Sequence, residues 1–219
     1  MVVLAFAATT AIIKMLQGDQ RVVGQPSPIT GDAVVTPGGP ELINPDSKLT
    51  YRLPAADWRP EPTIGEVGVI ALNEGALRTP YQCDGAEYAR GQVGSGQATP
   101  ADPATLASSV ANEAAGQFYS ITTATGTSAP TVHNGASRPV RSRLPNGKLV
   151  SGAVSIAYAA QTASRCLASR GEVVVLVLRL ADRDAVLVVN GDLDGGPADP
   201  APATDSELES IVNSATPLS

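Results

Sequence analysis

The sequence predicts an α+β fold: a mainly antiparallel β-sheet flanked by helices. Three observations carry this. Val150, Gly152, Val154, Ile156 and Tyr158 alternate with Ser151, Ala153, Ser155 and Ala157, the period of a strand. Residues 173–180 are almost continuously apolar, as in a central strand covered on both faces; Asp182-Arg183-Asp184 then turns the chain into a second apolar run at 185–189, a hairpin. Two further stretches, near 102–118 and 205–212, show helical spacing behind N-capping residues.

In chain order, Leu49-Thr50-Tyr51-Arg52-Leu53 alternates and stops at Pro54, a strand ended by proline. Trp58, the one tryptophan, is expected to close an end of the core. Glu66 to Leu72 reads as a second strand and Tyr88 to Val93 as a weaker third. Asp102 is the expected N-cap of a helix with Pro103 at its first position. Its buried stripe is Leu106, Val110, Ala114 and Phe118, with Ala107 and Ala111 beside it. Gly, Ser, Thr and Pro dominate 122–137, which reads as a loop; so does the Gly/Pro/Asp stretch 190–203. Asp205 is the expected cap of the last helix, with Leu208, Ile211 and Val212 inward.

Ahead of this domain the organisation changes. Residues 1–16 form an apolar segment interrupted by Lys14, short for the roughly 20 residues a spanning helix needs. It reads as a transmembrane anchor or a signal, with Met1 inside a longer helix whose basic lead precedes it; the alternative is an apolar helix packed in the core. Residues 17–46, with Pro26, Pro28, Pro37, Pro40 and Pro45, read as a Gly/Pro-rich tether. Residues 47–219 are then the extracytoplasmic domain, on a single-pass membrane protein or a secreted one.

Composition narrows the function classes. The net charge is −6 and no dense Lys/Arg run exists, so a phosphate-backbone footprint for nucleic acid is missing. Aromatic residues make up only 4%, leaving Val, Ala and Leu to build the core by many small increments. Two cysteines, Cys83 and Cys166, in an exported context point to a disulfide. With one histidine and no close cysteine pair, tetrahedral metal ligation is not expected.

No catalytic or cofactor-binding residues are assigned. His133 lies in the Thr/Ser-rich stretch, and no Gly-x-Ser-x-Gly elbow, Walker lysine pattern or Rossmann glycine triplet appears. Asp192-Leu193-Asp194-Gly195 and Asp199 offer oxygens in one segment, but the spacing fails the calcium-loop pattern, and a solvated acidic loop is the plainer expectation.

With the elements in order, the chain resembles a group of actinobacterial membrane-anchored or secreted proteins whose folded part is similar to the PsbP-like α/β/α sandwich, seen also in mycobacterial lipoproteins of the LpqN type. The resemblance rests on Leu49-Thr50-Tyr51-Arg52-Leu53-Pro54 leading to Trp58, Pro80-Tyr81-Gln82-Cys83 before Tyr88-Ala89-Arg90, the Cys166 partner, the Val/Leu hairpin, and the ending 208–215. It covers residues 47–217 and is one of layout. It implies a non-enzymatic binding or accessory role and brings no catalytic residues; the lipid-bearing cysteine is absent, which favours a helical anchor. The expected function is a cell-envelope interaction module that binds a protein partner or envelope component outside the membrane, tethered by the N-terminal helix. The alternatives are a hydrolase using His133, which needs that side chain in a cleft beside a serine and a carboxylate, and a domain for a small apolar ligand, which needs a pocket between sheet and helix.

Overall fold

The computed structural model describes residues 38–218, apart from 55–56, 124–125 and 163. Short β1 (Glu41–Asn44) pairs antiparallel with β2 (Leu49–Arg52). β1 lies inside the stretch expected as tether, so the fold begins earlier than residue 47. The composition hid it because it is a four-residue strand held by backbone pairing with β2 and by Asn44, whose amide donates to the Ser95 carbonyl and hydroxyl, both at 3.0 Å. The anchor or signal expected at 1–16 lies outside the described residues. No helix among the described residues is long and apolar enough to cross a membrane.

β3 (Trp58–Val67) and β4 (Ile70–Arg78) form a hairpin, where the sequence reading had one strand over 66–72. Gly68 takes φ +57° at the turn, a conformation open to glycine, and Val69 beside it is fully exposed. The apolar run is thus interrupted by a turn rather than continuous. A small hairpin follows, β5 (Tyr81–Cys83) and β6 (Ala86–Tyr88), then β7 (Gly91–Ala98). Helix α1 (Pro103–Phe118) starts as expected: Asp102 accepts from the Thr105 amide and Pro103 opens the first turn.

After β8 (Ile121–Thr123) and β9 (Gly126–Ser128) come the long strands β10 (Thr131–Arg143), β11 (Leu149–Ala160), β12 (Ala168–Arg179) and β13 (Asp184–Gly195). Two loop expectations are corrected here. β10 occupies much of 122–137 because it is a largely exposed edge strand, so its side chains carry no apolar period. β13 runs on to Gly195 because Asp192 is paired and buried rather than solvated. Helix α2 (Asp205–Ser214) is capped by Thr204, one residue before the expected Asp205, and β14 (Thr216–Pro217) joins β2.

Seven strands hydrogen-bond in the order β10-β11-β12-β13-β7-β4-β3, every neighbouring pair antiparallel. The period-two rule sorts β12 cleanly. Val173, Val175 and Val177 face α1, meeting Ala107, Val110, Ala111 and Ala114, while Val174, Leu176 and Leu178 face α2 and β2, meeting Leu208, Ile211, Leu49 and Leu53. Both faces are covered, which is why this strand reads as a continuous apolar run. Alanines on α1 let the helix lie close to the sheet. At its end Tyr119 crosses onto Gly171, where a Cβ would sit 2.1 Å from the ring, and donates to the Gly191 carbonyl at 2.9 Å. The two sheet edges carry proline, Pro139 in β10 and Pro60 and Pro62 in β3, residues that cannot donate to an added strand.

Candidate functional site

The two ends of the sheet differ in character. At one end the β5–β6 hairpin turns at Asp84-Gly85, both at positive φ, and is fastened by the expected disulfide, Cys83–Cys166, with the Cα atoms 5.6 Å apart. The Tyr81 hydroxyl donates to the Cys166 carbonyl at 2.7 Å, and its ring lies 5.4 Å from the Arg90 guanidinium. Arg90 is fully buried. Its Nη1 donates to Asp192 at 3.1 Å and to the Gly195 carbonyl at 3.0 Å, its Nε to the Pro200 carbonyl at 2.9 Å, and its Nη2 to the Pro197 carbonyl. One planar fork therefore orders the whole 195–200 segment. Asp192 is committed to Arg90, and Asp194 lies 3.8 Å from Arg170, so these carboxylates are not pooled as the calcium-loop idea would require. Asp84 lies with Cys83 and Cys166 in a cluster of ligand-type atoms, but the two sulfurs are bonded to each other.

His133 is exposed on β10, opposite Tyr158, and has no hydrogen-bond or ion-pair partner among the described residues. The serine and carboxylate contacts that the hydrolase reading requires are not formed there.

Glu172, on the α2 side of β12, was not singled out by the sequence. It is 2% exposed, and its Oε2 has no hydrogen-bond partner among the described residues. Burial, reinforced by the nearby Asp205 and Glu209 carboxylates, pushes its pKa from 4.5 up to about 8. With the folded value raised above the unfolded one, the native state holds an extra proton between these two values. Stability from this carboxyl is full below pH 4.5 and is lost as pH rises through about 8. Glu172→Gln, neutral at every pH, should remove that fall. Urea unfolding at pH 5 and pH 8.5 checks it, with the variant expected to lose less stability between the two by a margin on the order of a few kcal/mol. Equal losses in both proteins would mean that this carboxyl is hydrated.

The other end of the sheet is open. Here the β10–β11 turn, the β12–β13 turn, the β1–β2 turn and Leu218 enclose a half-open pocket of about 340 Å³. Its walls are mainly apolar, from Leu144, Leu149, Val150, Leu180 and Leu218; Lys48 and Lys148 reach in from two separate turns. Arg179 and Asp182 also line it, but each is engaged by a neighbour, Arg179 by Asp184 and Asp182 by Arg183. Neither lysine has an ion-pair partner among the described residues. Both turns share local chemistry. Pro45-Asp46-Ser47-Lys48-Leu49 and Pro145-Asn146-Gly147-Lys148-Leu149 have one pattern, proline, Asp or Asn, a small residue, lysine and leucine. Asn44 accepts from the Asp46 and Ser47 amides, and Asn146 from the Lys148 amide. This repeated pentapeptide is the signal a sequence reader has for the pocket, strengthened by a total of three lysines in the chain, Lys14 being the other.

No curated protein matches the sequence. A family profile does, over residues 32–219, which spans every element described above and begins ahead of β1. The chain therefore belongs to the DUF8017 family, described as a domain of unknown function.

Proposed function

We propose that this protein is a non-enzymatic accessory module that acts outside the membrane and binds an envelope component at the pocket between its hairpin turns. The observation that carries the reading is a pair of lysines from two turns, neither in a direct ion pair, beside an apolar pocket wall. Both faces of the sheet are covered by packed apolar side chains, whereas this end presents concavity, apolar surface and charge together. Three features support the wider setting. The disulfide suits an oxidising compartment. A sheet with helices on opposite faces suits a PsbP-like sandwich, such as actinobacterial membrane-anchored or secreted proteins carry. The apolar segment 1–16 suits a membrane tether.

Photocrosslinking in the native envelope tests the site. A photoreactive side chain at Leu149, which is half exposed at the pocket rim, is expected to label an envelope component that the same group at His133 does not. His133 is the control because it is exposed at the far end of β10. Equal labelling from both positions, or none from Leu149 with the disulfide intact, overturns the reading.

A further inference from the structure

We infer that the occupant of the hairpin-end pocket is a free single-chain amphipathic anion, a carboxylate or phosphate monoester on a short alkyl chain. This rests on the reading of that pocket as the binding site and adds the chemistry of what fills it.

Of the four ionic side chains lining the pocket, Arg179 pairs with Asp184, and Asp182 pairs with Arg183 while also attracting Lys48. Lys48 and Lys148 bring two ammonium groups, neither in a direct ion pair, on different turns of a molecule whose net charge is −6. Each turn is braced by an asparagine side chain bonded to its own backbone amides, so the lysine stems leave from ordered backbone. An anionic head can accept charge-assisted hydrogen bonds from both.

Size and polarity set the rest of the molecule. A volume of 340 Å³ holds about eleven non-hydrogen atoms at roughly 30 Å³ each. Leu144, Leu149, Val150, Leu180 and Leu218 offer an apolar tail contacts that inorganic phosphate or a sugar phosphate would leave unused. A bilayer headgroup is disfavoured by the net charge of −6, since attraction to an anionic leaflet needs a surplus of basic residues at the surface.

Calorimetric titration of the full chain with octanoate, octyl phosphate, octanol and inorganic phosphate tests this. Octanoate and octyl phosphate should bind, with octanol and inorganic phosphate each roughly tenfold weaker or worse. Affinity for octanoate should fall as salt is raised. Lys48→Gln and Lys148→Gln should each weaken octanoate about fivefold, with Lys148→Arg restoring part of the loss and Arg59→Gln, on the opposite edge strand, changing nothing. If a lysine variant fails to fold, the salt dependence of the unaltered chain carries the test. Octanol binding as well as octanoate, inorganic phosphate binding as well as octyl phosphate, or no binding by any of the four overturns the inference. So does cosedimentation with anionic phosphatidylglycerol vesicles when octanoate does not bind. The outcome separates from that of the crosslinking: labelling at Leu149 without octanoate binding leaves the site standing and removes its amphipathic anion, whereas octanoate binding without labelling removes the envelope component.

Discussion

Replacing Arg90 with methionine is expected to lower stability by about 3–5 kcal/mol, the cost of stranding a buried charge by removing its partner. The fork of Arg90 holds Asp192 and the carbonyls of Gly195, Pro197 and Pro200, so one substitution strips donors from four acceptors at once. For a chain of this size the thermal midpoint should fall by roughly 10 °C. Arg90→Lys should not rescue it, since an ammonium cannot reach acceptors laid out for a planar fork. Adding Asp192→Leu to Arg90→Met should recover part of the loss by removing the orphaned carboxylate, though the three carbonyls stay unmatched. Calorimetric melts of the three variants check this. A loss below about 1 kcal/mol for Arg90→Met would show that water replaces the guanidinium there.

The second large effect is expected from the disulfide. Cys83 and Cys166 are 83 residues apart, and a loop of that length corresponds to about 4–5 kcal/mol on the chain-entropy account, with 2–5 kcal/mol the usual measured cost of losing a native bridge. The constraint acts mostly on the unfolded chain, so Cys83→Ser with Cys166→Ser should keep the native near-ultraviolet spectrum while shifting the urea midpoint sharply downward. A reduced protein with an unchanged midpoint would contradict this. The bond also bears on location: intact mass after thiol alkylation without reduction, on protein from its native cells, should show no added alkyl groups. Two added groups would contradict an oxidising compartment.

The central fold was legible because its residues obey simple periods. β11, β12 and β13 announce themselves by alternation and by the continuous apolar run of a strand buried on both faces, and α1 by its cap, its proline and its four-residue stripe. The misses share a cause: edge and turn elements answer to backbone pairing, which leaves little trace in side-chain chemistry. β10 is an exposed strand whose Thr, Ser, Gly and Arg content looks like loop, and the β3–β4 hairpin hides its turn in a single glycine. The disulfide could be read from two cysteines and a supposed export route. The pocket and Glu172 were invisible because each is assembled from segments far apart in the chain, and only the repeated turn pentapeptide hinted that Lys48 and Lys148 belong together.

Trp58 donates its indole N–H to Glu207 of α2 at 2.8 Å, and the same carboxylate oxygen accepts from Arg78 of β4 at 2.8 Å. As the single tryptophan, it makes the protein's intrinsic fluorescence an optical gauge of one joint, where the last helix docks on the edge of the sheet. Emission will therefore redden when α2 lifts away, even while α1 on the opposite face stays seated. Far-ultraviolet dichroism, weighted by the long central strands, follows a different part of the molecule. Any interval between the two signals during unfolding would time the release of the C-terminal helix ahead of the collapse of the sheet.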